Sequence, residues 1–270
     1  MKIKEFFITH PVFRFEEFGA YMSALGTDRP ESWRQQLSYH RKVGNLVHIR
    51  KFLYAVNPVF SKEQSVDPYL LAGKISLDSI LAYHTALELH GIAYTTFNKL
   101  MYLSKRQILP FSYEAQSFRS ISPPRMLIKK DHAEFGIEEI NHNGMKIKIT
   151  SLERTMVDVL DRPDLGGGWE EIWRSLDNIT QCNMDKLIQY ALFLKNSTTI
   201  AKLGFFLEQR PHYLAPNEKY IKKLLTFVSK QAHYMDRDER TRGKYIERWK
   251  LMVPLSIINR TWEETNVENV

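Results

Sequence analysis

The sequence predicts an α+β protein in two parts, a small helical module over residues 1–60 and a larger mixed domain over residues 61–270. Three observations predict it. A chain of 270 residues exceeds what one small core needs. Apolar residues keep helical spacing up to Lys42, whereas strand-like alternation prevails from Ala93 to Lys148. After Trp169, apolar stripes at helical spacing return. With 43% hydrophobic and 26% charged residues, the chain has the apolar surface to pack a core and is not of disordered composition.

Each element of the first part follows from spacing and punctuation. Lys2 to Thr9 and Phe15 to Leu25 read as helices, with Pro11 breaking the chain between them and Gly26 closing the second. Thr27 or Asp28 can cap a third helix that has Pro30 in its first turn, and Trp33, Leu37 and His40 fall on its inner face before Gly44 stops it. The opposite face carries Ser32, Gln35, Gln36, Tyr39 and Lys42, with Arg34 and Arg41 at the flanks. Leu46 to Ile49 and Leu53 to Val56 read as the arms of a short hairpin with Arg50 and Lys51 at its tip.

Charge is concentrated in the same stretch. Arg29, Arg34, Arg41, Lys42, Arg50 and Lys51 stand against one anion, Glu31, in a chain of net charge +7. Three helices followed by a basic hairpin is the order of a winged helix-turn-helix, in which a helix enters the DNA major groove and wing cations meet phosphate. Gln and Arg can pair bidentately with adenine and guanine edges. The candidate double-stranded DNA contacts are therefore Arg34, Gln35, Gln36, Tyr39, Arg41, Lys42, Arg50 and Lys51. The competing reading is a helical module for protein contacts with a solvated basic face. His40 and His48 have no second pair at metal spacing and read as packing or phosphate-side residues.

The polar run Ser61-Lys62-Glu63-Gln64-Ser65 is the expected linker, with the boundary near residue 60. Beyond it, Asp78 can cap a helix bearing Ile80, His84 and Leu87 and ending at Gly91. Leu100 to Leu103, Met126 to Ile128 and a hairpin turning at Asn143-Gly144 predict a curled antiparallel sheet, in which Met145, Ile147 and Ile149 face the core. In ITSLERTMVDVL, Thr150 and Glu153 read as a capping box and Arg154 with Asp158 as a helix-surface ion pair, the alternative being an active-site charge cluster of Glu153, Arg154 and Asp158. Gly166-Gly167-Gly168 lacks the Lys-Ser/Thr of a phosphate-binding loop and reads as a hinge or loop. Four amphipathic helices are expected to close the chain, the last within a cationic tract from Lys219 to Lys250 that includes Arg237, Arg240, Arg242, Lys244 and Arg248. A solvated face is its default reading and a second polyanion contact the alternative.

No apolar stretch approaches the roughly 20 residues that span a bilayer, and Glu5 interrupts the opening MKIKEFFITHP. The expectation is a cytoplasmic protein without a membrane partner. The one cysteine, Cys182, cannot build an internal disulfide or a zinc cluster alone and reads as an inert thiol of a reducing compartment, with a catalytic thiol the alternative.

Taken in order, GNLVHIRKFLYAV, LAYHTALELHG, ITSLERTMVDVL and AKLGFFLEQ resemble segments of the AbiEi-type antitoxins, over about residues 10 to 210. That resemblance implies a DNA-binding autorepressor of a type IV toxin–antitoxin operon in bacterial abortive infection (phage defence). It also implies counteraction of a nucleotidyltransferase-like toxin, with or without a stable complex, and no enzymatic activity, cofactor or metal. It implies that the DNA-contacting positions are Arg34, Gln35, Gln36, Tyr39, Lys42, Arg50 and Lys51, and that Ser151, Glu153, Arg154 and Asp158 form a structural signature. The operator is expected to be the protein's own promoter, as an inverted repeat. The basic tail after residue 210 departs from the family pattern. Two other classes stand beside this one. A ligand-responsive transcription factor predicts a pocket in the larger domain. A metal-dependent nuclease would use Asp131, Glu134, Glu138 and Glu139 with Lys146 or Lys148.

Overall fold

Helices and strands alternate irregularly along the chain in the computed structural model, which describes residues 2–61, 65–210, 217–236, 238 and 243–262. The first stretch contains α1 (Lys2–Thr9), β1 (Val12–Arg14), α2 (Phe15–Ala24), α3 (Pro30–Lys42), β2 (Leu46–Arg50) and β3 (Leu53–Val56). The middle contains α4 (Pro58–Ser61), α5 (Pro68–Lys74), β4 (Ile80–Leu81), α6 (His84–Leu89), β5 (Lys99–Leu103), β6 (Phe111–Tyr113), β7 (Gln116–Ile121), α7 (Arg125–Lys129), β8 (Ile137–His142) and β9 (Met145–Thr150). The rest contains α8 (Leu152–Asp161), α9 (Trp169–Asp177), α10 (Met184–Leu194), α11 (Ser197–Glu208), α12 (Glu218–Leu225), β10 (His233–Tyr234), β11 (Gly243–Ile246), β12 (Leu251–Pro254) and α13 (Leu255–Ile258). The α+β class follows directly from this content.

Two compact units form, and neither is a single run of chain. Unit 1 gathers Met1–Leu81, Asn98–Ser122 and Glu139–Ile149; unit 2 gathers Ala82–Phe97, Pro123–Glu138 and Thr150–Val270. The division thus does not fall near residue 60. Of the expected linker, residues 62–64 lie outside the described residues. Specific bonds hold the N-terminal stretch to the rest of unit 1. The Arg14 guanidinium donates to the carbonyls of Lys74 and Ile75 at 3.1 and 3.0 Å, and Glu17 pairs with Lys74.

In unit 1, aromatic side chains build the first core. Phe6, Phe7, Phe13, Phe18, Met22, Leu37, Leu46 and Val56 pack together beneath α1, α2, α3 and a three-stranded sheet of order β1-β3-β2. Periodicity foretold the helices but not β1, which is too short to alternate and is fixed by pairing Val12, Phe13 and Arg14 with Ala55, Tyr54 and Leu53. Arg29, not Thr27 or Asp28, precedes the first turn of α3, and no side chain caps it.

The larger sheet of unit 1 has the order β6-β7-β5-β4-β9-β8 and is mixed, not antiparallel throughout: β5 runs parallel to β7, and β4 parallel to β9. Alternation along a strand fixes which face is buried but says nothing of the partner's direction. The expected inward set Met145, Ile147 and Ile149 is buried, and Asn143 (φ 49°) with Gly144 (φ 80°) makes the turn before it. Two short segments differ from expectation. Ile80 belongs to β4, and Asp78 accepts from Ser104 Oγ and the Lys105 amide, so only His84–Leu89 is helical there. Met126 to Ile128 lie in α7, because Pro123-Pro124 opens a helical turn where periodicity over three residues is uninformative.

Unit 2 is built on α8, α10 and α11 around Trp173, Tyr190 and Phe206, all fully buried. Its end is not wholly helical. α12 stops at Leu225, and a three-stranded sheet of order β10-β12-β11 follows, with Trp249 buried beside it.

Candidate nucleic-acid interface

α3 lies on α2 through Trp33, whose ring sits where a Cβ on Gly19 would be, 2.4 Å from Cζ3. The Trp33 indole donates to the Thr27 carbonyl at 2.6 Å, and Leu37 and His40 are buried, so the inner face is the one expected. Outward, Arg34, Gln35, Tyr39, Arg41 and Lys42 are exposed, while Gln36 is half-buried at the edge. Tyr39 is 58% exposed, a large aromatic surface left in solvent on a cationic face.

The hairpin completes this surface, though not as the sequence predicts. Arg34 and Arg41 both act on the Tyr54 hydroxyl of β3, whose pKa burial raises against their pull. Burial and then Arg41 lower the pKa of His48 on β2. Arg34 lies over the Phe15 ring at 5.5 Å and Lys51 over the Phe52 ring at 5.1 Å, and these two rings are 6.1 Å apart. A helix cation and a tip cation are thereby mounted on adjoining rings. Arg50 is a correction. Its guanidinium turns onto Phe111 of β6 at 5.0 Å and one of its nitrogens is buried, so it is not a free tip cation. Among the described residues, only Arg34 of the six cations from Arg29 to Lys51 has an ion-pair partner, Glu31 at 3.5 Å.

The four signature residues form a buried network within unit 2. Ser151, not Thr150, caps α8, its hydroxyl accepting from the Arg154 amide at 3.3 Å; Thr150 Oγ1 bonds Thr155 Oγ1 instead. Glu153 accepts from the Asn183 amide and so ties α8 to the start of α10. Arg154 is 0% and Asp158 2% exposed, so the pair expected on the surface is in the core. Arg154 donates to the carbonyls of Ala133 and Phe135 at 3.0 and 2.7 Å, lies over Tyr190 at 5.3 Å and meets Asp158 at 3.5 Å. Tyr190 donates to Asp158 at 2.5 Å. Burial pushes the Asp158 carboxyl up to about 6, against Arg154 and the Tyr190 hydroxyl, which pull it down.

No family model and no curated protein sequence matches the chain. In three dimensions it is similar to the crystal structure of the RV2827C protein from Mycobacterium tuberculosis, with a TM-score of 0.58 at 15% identity, covering 97% of this chain and 94% of that one. The two share a fold. At that identity the likeness carries no activity from one to the other.

The other expected sites fare differently. Glu139 pairs with Lys146 at 2.8 Å on the exposed face of the β8–β9 hairpin. Among the described residues, no three His, Cys, Asp or Glu side chains group as a metal site, and Asp131, Glu134 and Glu138 join none. Burial raises the Cys182 thiol and Glu153 adds to the effect, which leaves little thiolate for nucleophilic chemistry. In the tail, Arg248 pairs with Glu208 and Glu218 and Lys250 with Glu247, while Arg237, Arg240 and Arg242 lie outside the described residues. A cleft of about 590 Å3 in unit 2 is lined by Arg162, Trp169, Asn196, Thr198, Lys202 and Asp236 among others. Among the described residues, no helix is long and apolar enough to cross a membrane.

Sequence reasoning missed Phe15, Phe52 and Phe111, the rings on which Arg34, Lys51 and Arg50 rest. Phe52 beside Lys51 was the one visible signal, since an aromatic at a hairpin tip is unusual.

Proposed function

We propose that the chain is a double-stranded DNA-binding protein whose residues 2–56 form a winged helix-turn-helix. The order α1-β1-α2-α3-β2-β3 with sheet order β1-β3-β2 supports this reading. The observation that carries it is the outward face of α3, where Arg34, Gln35, Tyr39, Arg41 and Lys42 are all exposed beside the Lys51 tip. α3 reads base edges from the major groove through Gln35 and Arg41, while Arg34, Lys42 and Lys51 neutralise phosphates. Joined to the resemblance of the SLERT and flanking segments, this supports the reading of an antitoxin that represses its own operon and counteracts a nucleotidyltransferase-like toxin without itself being an enzyme.

The test is an anisotropy titration of the full chain against its own upstream DNA and a scrambled duplex, each at about 50 and 200 mM salt. Preference for the upstream duplex, lost in Gln35→Ala and Arg41→Ala, is the expected result. Equal or negligible binding to both refutes it. The antitoxin role is tested separately by co-expression with the neighbouring gene product, whose toxicity the full chain should relieve. The cleft of unit 2 favours a second reading, a ligand-responsive regulator, which predicts that a small molecule shifts operator affinity.

A further inference from the structure

The turn joining β2 to β3 consists of two residues, Lys51 and Phe52, with Arg50 paired to Leu53 across it. Phe52 has φ 65°, a left-handed conformation that glycine or asparagine takes cheaply and a bulky aromatic does not. The core does not require the ring there. Leu53, the next residue, supplies the burial at this end of the sheet and is 0% exposed, whereas Phe52 is 41% exposed. The ring meets Phe15 at 6.1 Å on one side, the Lys51 ammonium lies over it at 5.1 Å, and Arg34 lies over the neighbouring Phe15 ring. The Phe15 amide donates to the Phe52 carbonyl at 2.9 Å, which fixes the tip against the start of α2.

An apolar ring held in a strained backbone among cations matches a ligand that sets apolar faces between phosphates. Nucleic acid is such a ligand. We infer that Phe52 is an apolar DNA contact at the hairpin tip, its ring lying on the sugar and base edges of the groove next to the one occupied by α3, between phosphates met by Lys51 and Arg34. This rests on the DNA-binding reading above. Apolar side chains placed in a groove displace water and press on base steps, so the contact adds affinity without adding charge.

The experiment compares wild type, Phe52→Gly and Phe52→Leu in the full chain by anisotropy against the upstream duplex at two salt concentrations, with melting temperatures alongside. Glycine suits the left-handed position and removes the ring; leucine keeps apolar cover over Phe15. The expected result for Phe52→Gly is a loss of about tenfold in affinity at both salts with an unchanged salt slope. Phe52→Leu should lose several-fold at the same slope. Binding by both variants within twofold of wild type overturns the inference, as does a loss accompanied by a changed slope. Should Phe52→Gly melt well below wild type, Phe52→Leu decides by the same criterion. A wild type that binds neither duplex refutes the DNA reading and this inference together. Wild-type binding that needs Gln35 and Arg41 but is indifferent to Phe52 overturns the inference alone.

Discussion

Replacing Arg154 by methionine separates a buried pair from a surface one by an order of magnitude. On a helix surface an i, i+4 ion pair contributes about 0.3–0.5 kcal/mol, and its loss is near the limit of detection. In the protein the guanidinium is fully buried, bonds two backbone carbonyls and faces a buried carboxylate. Methionine fills much of the same space but strands both carbonyls and leaves Asp158 without its counter-charge. Breaking a buried pair from one side costs roughly 3–5 kcal/mol. Urea unfolding at pH 7.5, followed through the emission of the buried Trp173 and Trp249, should report a loss in that range. The loss should shrink at pH 5, where Asp158 takes up a proton and no longer needs the arginine. The double variant Arg154→Met/Asp158→Leu should recover part of it, because no unpaired charge remains. A loss under about 1 kcal/mol at pH 7.5 would mean that the network does not bear on unit 2's stability, and the structural role given to the signature would fall.

Further expectations follow from the same geometry. Since the Asp158 carboxyl is raised to about 6 when folded, between about pH 4 and pH 6 the folded protein keeps a proton that the unfolded chain has released. Unit 2 therefore loses stability as pH rises through that window, by up to about 3 kcal/mol, and Asp158→Asn should flatten the dependence of melting temperature on pH. Gly19→Ala drives a methyl into the Trp33 ring; it should destabilise unit 1 by roughly 1–3 kcal/mol and weaken DNA binding, whereas a melting temperature equal to wild type would deny the close approach of α2 and α3. Lys42→Ala and Lys51→Ala should each reduce the salt slope of DNA binding by about 0.9, while Arg50→Ala leaves it unchanged because that guanidinium rests on Phe111. An Arg50 effect equal to that of Lys51 would show that the arginine leaves the ring when DNA binds.

What could be read from the sequence was whatever local physics decides. The helical stripes of α2, α3, α8, α9, α10 and α11, the hairpin at Asn143-Gly144 and the inward set of β9 need only neighbours a few residues away. Strand direction in the larger sheet, the identity of β1 and the sheet after α12 depend on partners far along the chain, and no period encodes them. The SLERT segment shows the same limit. Its spacing gave the helix and the Arg154–Asp158 pair, but its burial is set by α6, α10, α11 and the residues around Phe135. Of the candidate interface, the α3 face was legible as composition, and only Gln36 and Arg50 changed character once their surroundings were known.

The bonds from Arg14 to the carbonyls of Lys74 and Ile75, with Arg50 resting on Phe111, make the N-terminal elements part of a body assembled from three separate runs of chain. Such a body cannot be lifted out by cutting once. A fragment ending at residue 60 would leave the Arg14 guanidinium without its acceptors and Arg50 without its ring, so the N-terminal elements are not an exchangeable cassette. Grafting them onto another protein requires the strands from Asn98 to Ser122 and from Glu139 to Ile149 to travel with them. Loss of any activity on truncation within those strands would then report a collapsed fold, not a missing contact.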